Sequence, residues 1–257
     1  MNMVRRSGLA LVLSLMLSGI VSSAHAATTY TGTVEHAIPQ LTVAPENRTG
    51  YLRTLFRHWI DADGDCQNAR QETLISETLA PMTWTTASQC TAATGQWYSY
   101  FDGQTFTSAS QVAIDHMVPL AEAWDSGASA WDAQRRQDYA NDLGDPRALN
   151  AVGLSVNSSK SDSDPTAWMP ALQRCRYYSD WVAIKLRWGL SIDSAELGAL
   201  NALTAECGSM PMTVEVLFGT PVSPLPDTQS PTTPTNLIAS GTTSINLTWT
   251  ASTDNVA

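Results

Sequence analysis

Along this chain the spacing of hydrophobic residues changes from segment to segment, and each change predicts a different element. Leu9 to Val21 is an almost unbroken apolar stretch, preceded by Arg5 and Arg6 and followed by Ala24-His25-Ala26. That order is an export signal over residues 1–26, cleaved after about Ala26 and too short to span a bilayer. No later run is long enough to span one, so the mature protein is expected to be secreted and off the membrane; a monomer is expected as well. Residues 27–48, Thr-rich with two prolines, read as an extended leader. In Tyr51 to Ile60, Leu52, Leu55, Phe56 and Trp59 recur at helical spacing, and Asn68 to Leu79 offers a second short helix. The aromatic run Gln96 to Phe101, the turn signal Asp102-Gly103 and the run Thr105 to Ile114 predict a β-hairpin.

Further on, Trp131 to Leu143 reads as a helix and Ala148 to Val156 as a short apolar strand or loop. A clearer helix runs from about Ala171 to Trp188 and stops at Gly189. Asp193 and Glu196 form a capping box for one reaching Glu206. From Pro211 to residue 234 the chain is linker-like, rich in proline and threonine, and residues 235–257 alternate apolar and polar. The expected organisation is therefore α+β: a mainly helical body over residues 49–210, then a linker and a short β tail. That tail resembles the first two strands of a fibronectin type III domain, and it ends before a seven-strand sandwich is complete.

Four cysteines, Cys66, Cys90, Cys175 and Cys207, follow the signal. In an exported chain an even number implies disulfides, and of the three connectivities the local pairs Cys66–Cys90 and Cys175–Cys207 are favoured. No C-x-x-C pair and no nearby histidine supports a zinc site instead. Charge tells against a nucleic-acid ligand at first sight. The chain carries −10, and −12 once Arg5 and Arg6 leave with the signal. Yet Ala130 to Leu190 holds eight Lys/Arg against seven Asp/Glu, a nearly neutral stretch whose cations are expected on one face. Asp61, Asp63, Asp65 and Glu72 fit positions 1, 3, 5 and 12 of a calcium loop, but Cys66 occupies the glycine position. An acidic turn anchored by a disulfide is the better reading.

The candidate chemistry lies in Asp115-His116 and, 41 residues beyond His116, in Asn157-Ser-Ser-Lys160-Ser-Asp162. An imidazole is the natural base near neutral pH. A carboxylate and an amide carbonyl supply oxygen ligands to a hard cation while leaving room for phosphate and water. Of the other histidines of the mature chain, His36 lies in the leader and His58 on the helical pattern. No G-x-S-x-G elbow suggests a serine hydrolase. Lys160 contacts phosphate or faces solvent, and Arg174 and Arg176 are further phosphate candidates.

With Asp61-Ala-Asp-Gly-Asp-Cys66, Arg70, Glu72, Trp97-Tyr-Ser99, Ile114 to Trp124, Asn157-Ser-Ser-Lys160-Ser-Asp162, Asp164-Pro165, Trp168, Pro170 and Cys175, the chain resembles a family of exported bacterial HNH endonucleases over roughly residues 50–207. The resemblance implies a ββα-metal motif, with His116 as general base and Asp115 with Asn157 as metal ligands; Lys160, as a candidate phosphate contact, is placed with His116 in the catalytic set. It also implies a divalent cation, Mg²⁺ first and Mn²⁺ second, and DNA as substrate, with RNA next; with no module for reading base edges apparent, little sequence preference is expected. Arg70 and Glu72 would be an ion pair supporting the site. Many HNH motifs orient the base with an asparagine nine positions before the metal-binding one. Here that position is Ala148, which leaves Asn150, a backbone carbonyl or Asp145 to support His116. The rival from another class is a non-catalytic secreted adhesion or polysaccharide-binding protein, favoured by nine tryptophans, the acidic charge and a tail that could contact glycans or a surface.

Overall fold

A computed structural model describes residues 27–219, 232–240 and 246–252. The export signal, the middle of the proline-rich stretch and parts of the β tail lie outside these residues. The leader does not run free. Residues Thr28–Thr33 form β1, followed by a helical turn α1 (Val34–Ala37) and a 3₁₀ turn, and Tyr30, Val34, Ala37, Ile38 and Leu41 are buried in the main core. β1 pairs antiparallel with a strand at the far end of the chain, Pro211–Val216, where a linker was expected. That strand buries Met212, Val214 and Val216 on alternate positions, the period-2 pattern of a half-covered strand. Pairing β1 with this strand closes the intervening chain around the main core. A second, smaller cluster that includes Leu74, Trp97, Val112, Ile114 and Leu149 packs residues 69–77 and 92–99 against the segments 112–116 and 149–153.

Between them the order is α2 (Ala69–Glu77), β2 (Thr83–Trp84), β3 (Ala92–Ser99), β4 (Gln104–Ser108), β5 (Val112–His116), α3 (Leu120–Asp125), α4 (Ala133–Ala140), β6 (Leu149–Gly153), α5 (Leu154–Lys160), α6 (Arg174–Trp188) and α7 (Ser194–Cys207). The strand Pro211–Val216 is β7, and β8 (Thr235–Ser240) and β9 (Asn246–Thr250) pair in the tail. The protein is α+β. The helices start where the sequence offers caps: Asn68, Asp132 and Asp193 each accept a backbone N–H of the first turn. Gly189 ends α6 in the left-handed conformation at φ 63°. α6 is the central helix, with Tyr177, Trp181 and Val182 fully buried. Cys175–Cys207 ties its first turn to the end of α7, and Cys66–Cys90 ties the acidic turn to the β2–β3 connection.

Two expectations change. Tyr51 to Ile60 is not a helix: only a 3₁₀ turn, Arg53–Leu55, forms there. Its aromatic residues are claimed by different neighbours. Phe56 packs edge-on against Trp124 and Tyr139, while Trp59, at φ 60°, turns to stack on His116. Tertiary packing outweighs a helical preference of a few tenths of a kcal/mol per residue. The hairpin β3–β4 forms, but a 3₁₀ turn at Ala109–Gln111 ends it, and β5 leaves to pair with β6. Asp115 and His116 therefore belong to a separate two-stranded unit that runs directly into α5.

Candidate active site

β5 and β6 pair antiparallel, with Asp115 opposite Asn150 and His116 opposite Leu149. β6 passes into α5 at Gly153, which places Asn157 one turn into the helix. The result is a small pocket of about 80 Å³ lined by Arg53, Ile114, Asp115, His116, Pro119, Leu120, Asn157 and Ser161. Adjacent residues on a strand normally point to opposite faces. Both Asp115 and His116 reach this pocket because the strand ends at His116 and the chain turns through Met117, Val118 and Pro119 into α3.

Buried donors clamp that turn. The Nζ of Lys160 donates to Asp115 Oδ2 at 2.6 Å, to the His116 carbonyl at 2.8 Å and to the Met117 carbonyl at 2.9 Å. The Tyr139 hydroxyl donates to the next carbonyl, that of Val118. Lys160 is fully buried. It neither faces solvent nor reaches a phosphate in the pocket, and all three of its N–H groups are spent on protein oxygens. Burial pushes the Asp115 carboxyl up and the Lys160 amine down, and each group's charge opposes the shift of the other. Among the described residues, Asp115 Oδ1 and the Asn157 side chain make no hydrogen bond. Two unpaired oxygen donors in one polar pocket fit a hard divalent cation, which prefers carboxylate and amide oxygens.

His116 is held on every side. Its ring stacks on Trp59 at 5.4 Å and lies parallel to Tyr139 at 6.5 Å, with His58 edge-on at 6.5 Å. Its Nε2 lies 3.0 Å from the Ala140 carbonyl. A carbonyl only accepts, so Nε2 carries the proton of the neutral ring and Nδ1 keeps its lone pair. Burial first, with help from Arg53 and His58 charge, pushes the imidazole down to about 3, against the pull of the Ala140 bond. The ring is thus an uncharged base over the whole physiological range. The support left open by Ala148 comes from the last residue of α4. Asn150 instead donates to the Arg147 carbonyl, and Asp145 is paired with Arg147.

Several expected roles are structural. Asp162, last residue of the N-x-x-K-x-D run, takes Arg48 at 2.6 Å, and Arg48 also holds Asp125. Arg70 does not pair with Glu72 among the described residues; it donates to the carbonyls of Ala109 and Val112 and so fixes the start of β5. The oxygens of Asp61, Asp63 and Asp65 accept backbone N–H groups of their own turn. The cations expected on one face are mostly committed to partners: Arg174 to Glu206, Arg176 to Asp180, Lys185 to Glu122 and Glu196, and Arg187 to Asp142. Among the described residues the cation that lines the pocket is Arg53, exposed in the 3₁₀ turn Arg53–Leu55. No motif marks it, because an arginine on an amphipathic-looking segment reads as its solvated face.

Comparison with known proteins adds the family. Residues 66–202, more than half of the chain, match the family described as GmrSD restriction endonucleases, C-terminal domain. The chain belongs to this family. The match takes in β5, α5 and the residues Asp115, His116, Asn157 and Lys160. A relative in Arthroderma benhamiae (strain ATCC MYA-4681 / CBS 112371), "Uncharacterized secreted protein", is 40% identical over 178 residues, covering 68% of this chain and 85% of its own length. No solved structure matches. The family is one of nucleases, and the secreted relative and the two disulfides agree with an oxidising, extracellular setting.

Proposed function

We propose that this protein is a secreted, metal-dependent endonuclease of HNH type that hydrolyses phosphodiester bonds of DNA, and of RNA secondarily, with little sequence preference. The observation that carries this reading is the convergence of Asp115, His116 and Asn157 on one small polar pocket, with Arg53 at its rim. Strands β5 and β6 followed by α5 supply the ββα arrangement, and the body from β1 to β7 acts as the nuclease domain. In the reaction, Nδ1 of His116 accepts the proton of a water that attacks phosphorus. As the new bond to phosphorus forms, the bond from phosphorus to the 3′ oxygen breaks and the departing oxygen takes a proton from solvent. The imidazolium, held in place by the Ala140 carbonyl, gives its own proton back to water. Arg53 draws the scissile phosphate toward the pocket, and Lys160 fixes the direction of Asp115. Asp115 Oδ1 and the Asn157 carbonyl would hold Mg²⁺, or Mn²⁺ as second choice, which offsets the charge gathering on the phosphoryl oxygens. Trp59, stacked on His116, adds a flat apolar wall that keeps water from one face of the base.

A plasmid-nicking assay on the mature protein tests this. Nicking should require Mg²⁺ or Mn²⁺, vanish on chelation, and fall by at least ~10²–10⁴-fold in His116→Ala, the range for losing a general base. Absence of nicking with every divalent metal would end the nuclease reading. If the protein then bound glycans tightly, the adhesion reading would replace it, with the exposed Leu237, Ile238, Leu247 and Trp249 of the β8–β9 ribbon as the first contact to examine. Hydrolysis of esters or peptides that survives chelation would point to a different hydrolase.

A further inference from the structure

Resting on that reading, we propose that the divalent cation and the nucleic-acid phosphate bind cooperatively, each weakly without the other, and that Lys160 is the positioning residue that sets the coupling. Asp115 is the sole acid lining the pocket among the described residues. Its charge is already matched: the Lys160 ammonium sits 2.6 Å from Oδ2 and cannot move off, since its other two N–H groups hold the His116 and Met117 carbonyls in a site without solvent access. Arg53 adds a second positive charge at the rim, and the His116 ring brings no negative charge in either protonation state. The formal charge around the pocket is therefore at least +1. Protein sites that retain a hard dication unaided gather several carboxylates, whereas Mg²⁺ held by one or two protein oxygens relies on substrate phosphate to complete its shell. Here the protein offers Asp115 Oδ1 and one amide oxygen. A phosphodiester brings the missing negative charge and the missing oxygens together. By linkage, whatever factor the phosphate adds to metal affinity, the metal adds to phosphate affinity. The arrangement makes the site a poor metal trap in the free protein and a good one on its substrate.

The test uses the full mature protein carrying His116→Ala, so that a duplex oligonucleotide stays intact. Affinity for the duplex is read by fluorescence anisotropy in EDTA and in saturating Mn²⁺. Mn²⁺ affinity is read by electron paramagnetic resonance on the free protein and on its complex with the duplex, with a duplex-only blank. Both routes should give one coupling factor, within the ~5–150-fold span usual for linked sites. Adding Lys160→Met removes the counter-charge at nearly constant shape, so Mn²⁺ binding to the free protein should tighten ~10-fold or more, as loss of a unit charge a few ångströms from a dication requires. The coupling factor should shrink with it, and Lys160→Arg should restore weak binding to the free protein. Should Lys160→Met fail to fold by circular dichroism, the coupling in the Lys160 protein still decides. Equal Mn²⁺ affinity with and without duplex overturns the inference. Metal-dependent nicking by the unaltered protein without such coupling defeats this inference alone, and absence of nicking defeats the nuclease reading beneath it.

Discussion

Glu77 ends α2, the wrong place for a negative charge, because a helix C-terminus already carries partial negative charge. Its Oε2 accepts the Ala151 N–H at 3.0 Å and so caps the outer edge of β6, the strand that sets Asn150 opposite Asp115. Beside it lies a cavity of about 190 Å³, lined in part by Asp142 and Asp145. Burial raises the Glu77 carboxyl to about 7, against the Ala151 bond and the charge of Arg176. The folded value lies above the ordinary 4.5. Between those values the unfolded chain has lost a proton that the folded chain keeps. The stability this group contributes is therefore complete below pH 4.5 and is lost as pH rises through 7. At 1.36 kcal/mol per unit, the loss is about 3 kcal/mol. Glu77→Gln stays neutral at every pH, and its carbonyl can still accept Ala151. Urea unfolding followed by tryptophan fluorescence, disulfides intact, should find the two proteins within about 1 kcal/mol at pH 4.5. By pH 8.5 the Gln variant should be more stable by about 3 kcal/mol. Taking the difference between proteins cancels Glu196 and Asp180, which burial raises to about 7 and about 6 and which tilt the curve the same way. A difference that stays flat from pH 4.5 to 8.5 refutes a half-buried Glu77 that keeps its proton up to about pH 7.

Other expectations are simpler to check. Replacing Cys66 and Cys90 by serine, or Cys175 and Cys207, removes a loop closure of 24 or 32 residues. Each should cost about 3.5 kcal/mol of unfolding free energy, measured by denaturant titration. Arg53→Gln should leave stability within about 0.5 kcal/mol, since the side chain is exposed. It should weaken binding to unrelated duplexes alike and lower the slope of log affinity against log salt by about 1. Arg187→Met strands Asp142, whose carboxylate takes Arg187 at 2.7 Å and Trp188 Nε1 at 2.8 Å in the core. It should cost about 3–5 kcal/mol, and a loss under 1 kcal/mol would show that Asp142 finds another partner.

How much of this was legible in the sequence depended on what fixed each element. Helices with a capping side chain were readable: Asn68, Asp132 and Asp193 sit where the caps form, and Gly189 where α6 stops. The β1–β7 ladder was not, though Met212, Val214 and Val216 alternate as a strand should. Its partner lies at the other end of the chain, where Thr31 meets Thr213 and Gly32 meets Met212, and no local signal announces such a pairing. Tyr51 to Ile60 misled for the opposite reason. Its apolar spacing satisfied a helix, yet Phe56 and Trp59 were spaced to reach two separate neighbours, Trp124 and His116. Hydrophobic periodicity reports which residues are wanted inside and is silent about whether one face or two partners will claim them.

The site shows the same division at finer scale. Asp115, His116 and Asn157 stood out because a carboxylate, an imidazole and an amide are the side-chain types a metal-assisted hydrolytic site calls for, and few other residue types could supply them. What holds them could not stand out in that way. His116 is oriented by the carbonyl of Ala140, and any residue at position 140 would present a carbonyl, so the alanine there carries no signal. Ala148 stands where a supporting asparagine was expected, and its own carbonyl accepts Met117 N, which helps close the same turn. Lys160 was visible but misread, because Ser158, Ser159, Ser161 and Asp162 around it are exposed and the run looks solvated throughout. The phase of α5 decides otherwise. Lys160 falls three residues after Asn157, on the side where the turn after β5 offers three unpaired oxygens, and a buried ammonium is tolerable only where every N–H finds one. The carbonyls of residues 116 and 117 thus select a lysine inside an otherwise polar run. Methionine at that position would leave two carbonyls and a carboxylate without donors, and serine could reach none of them.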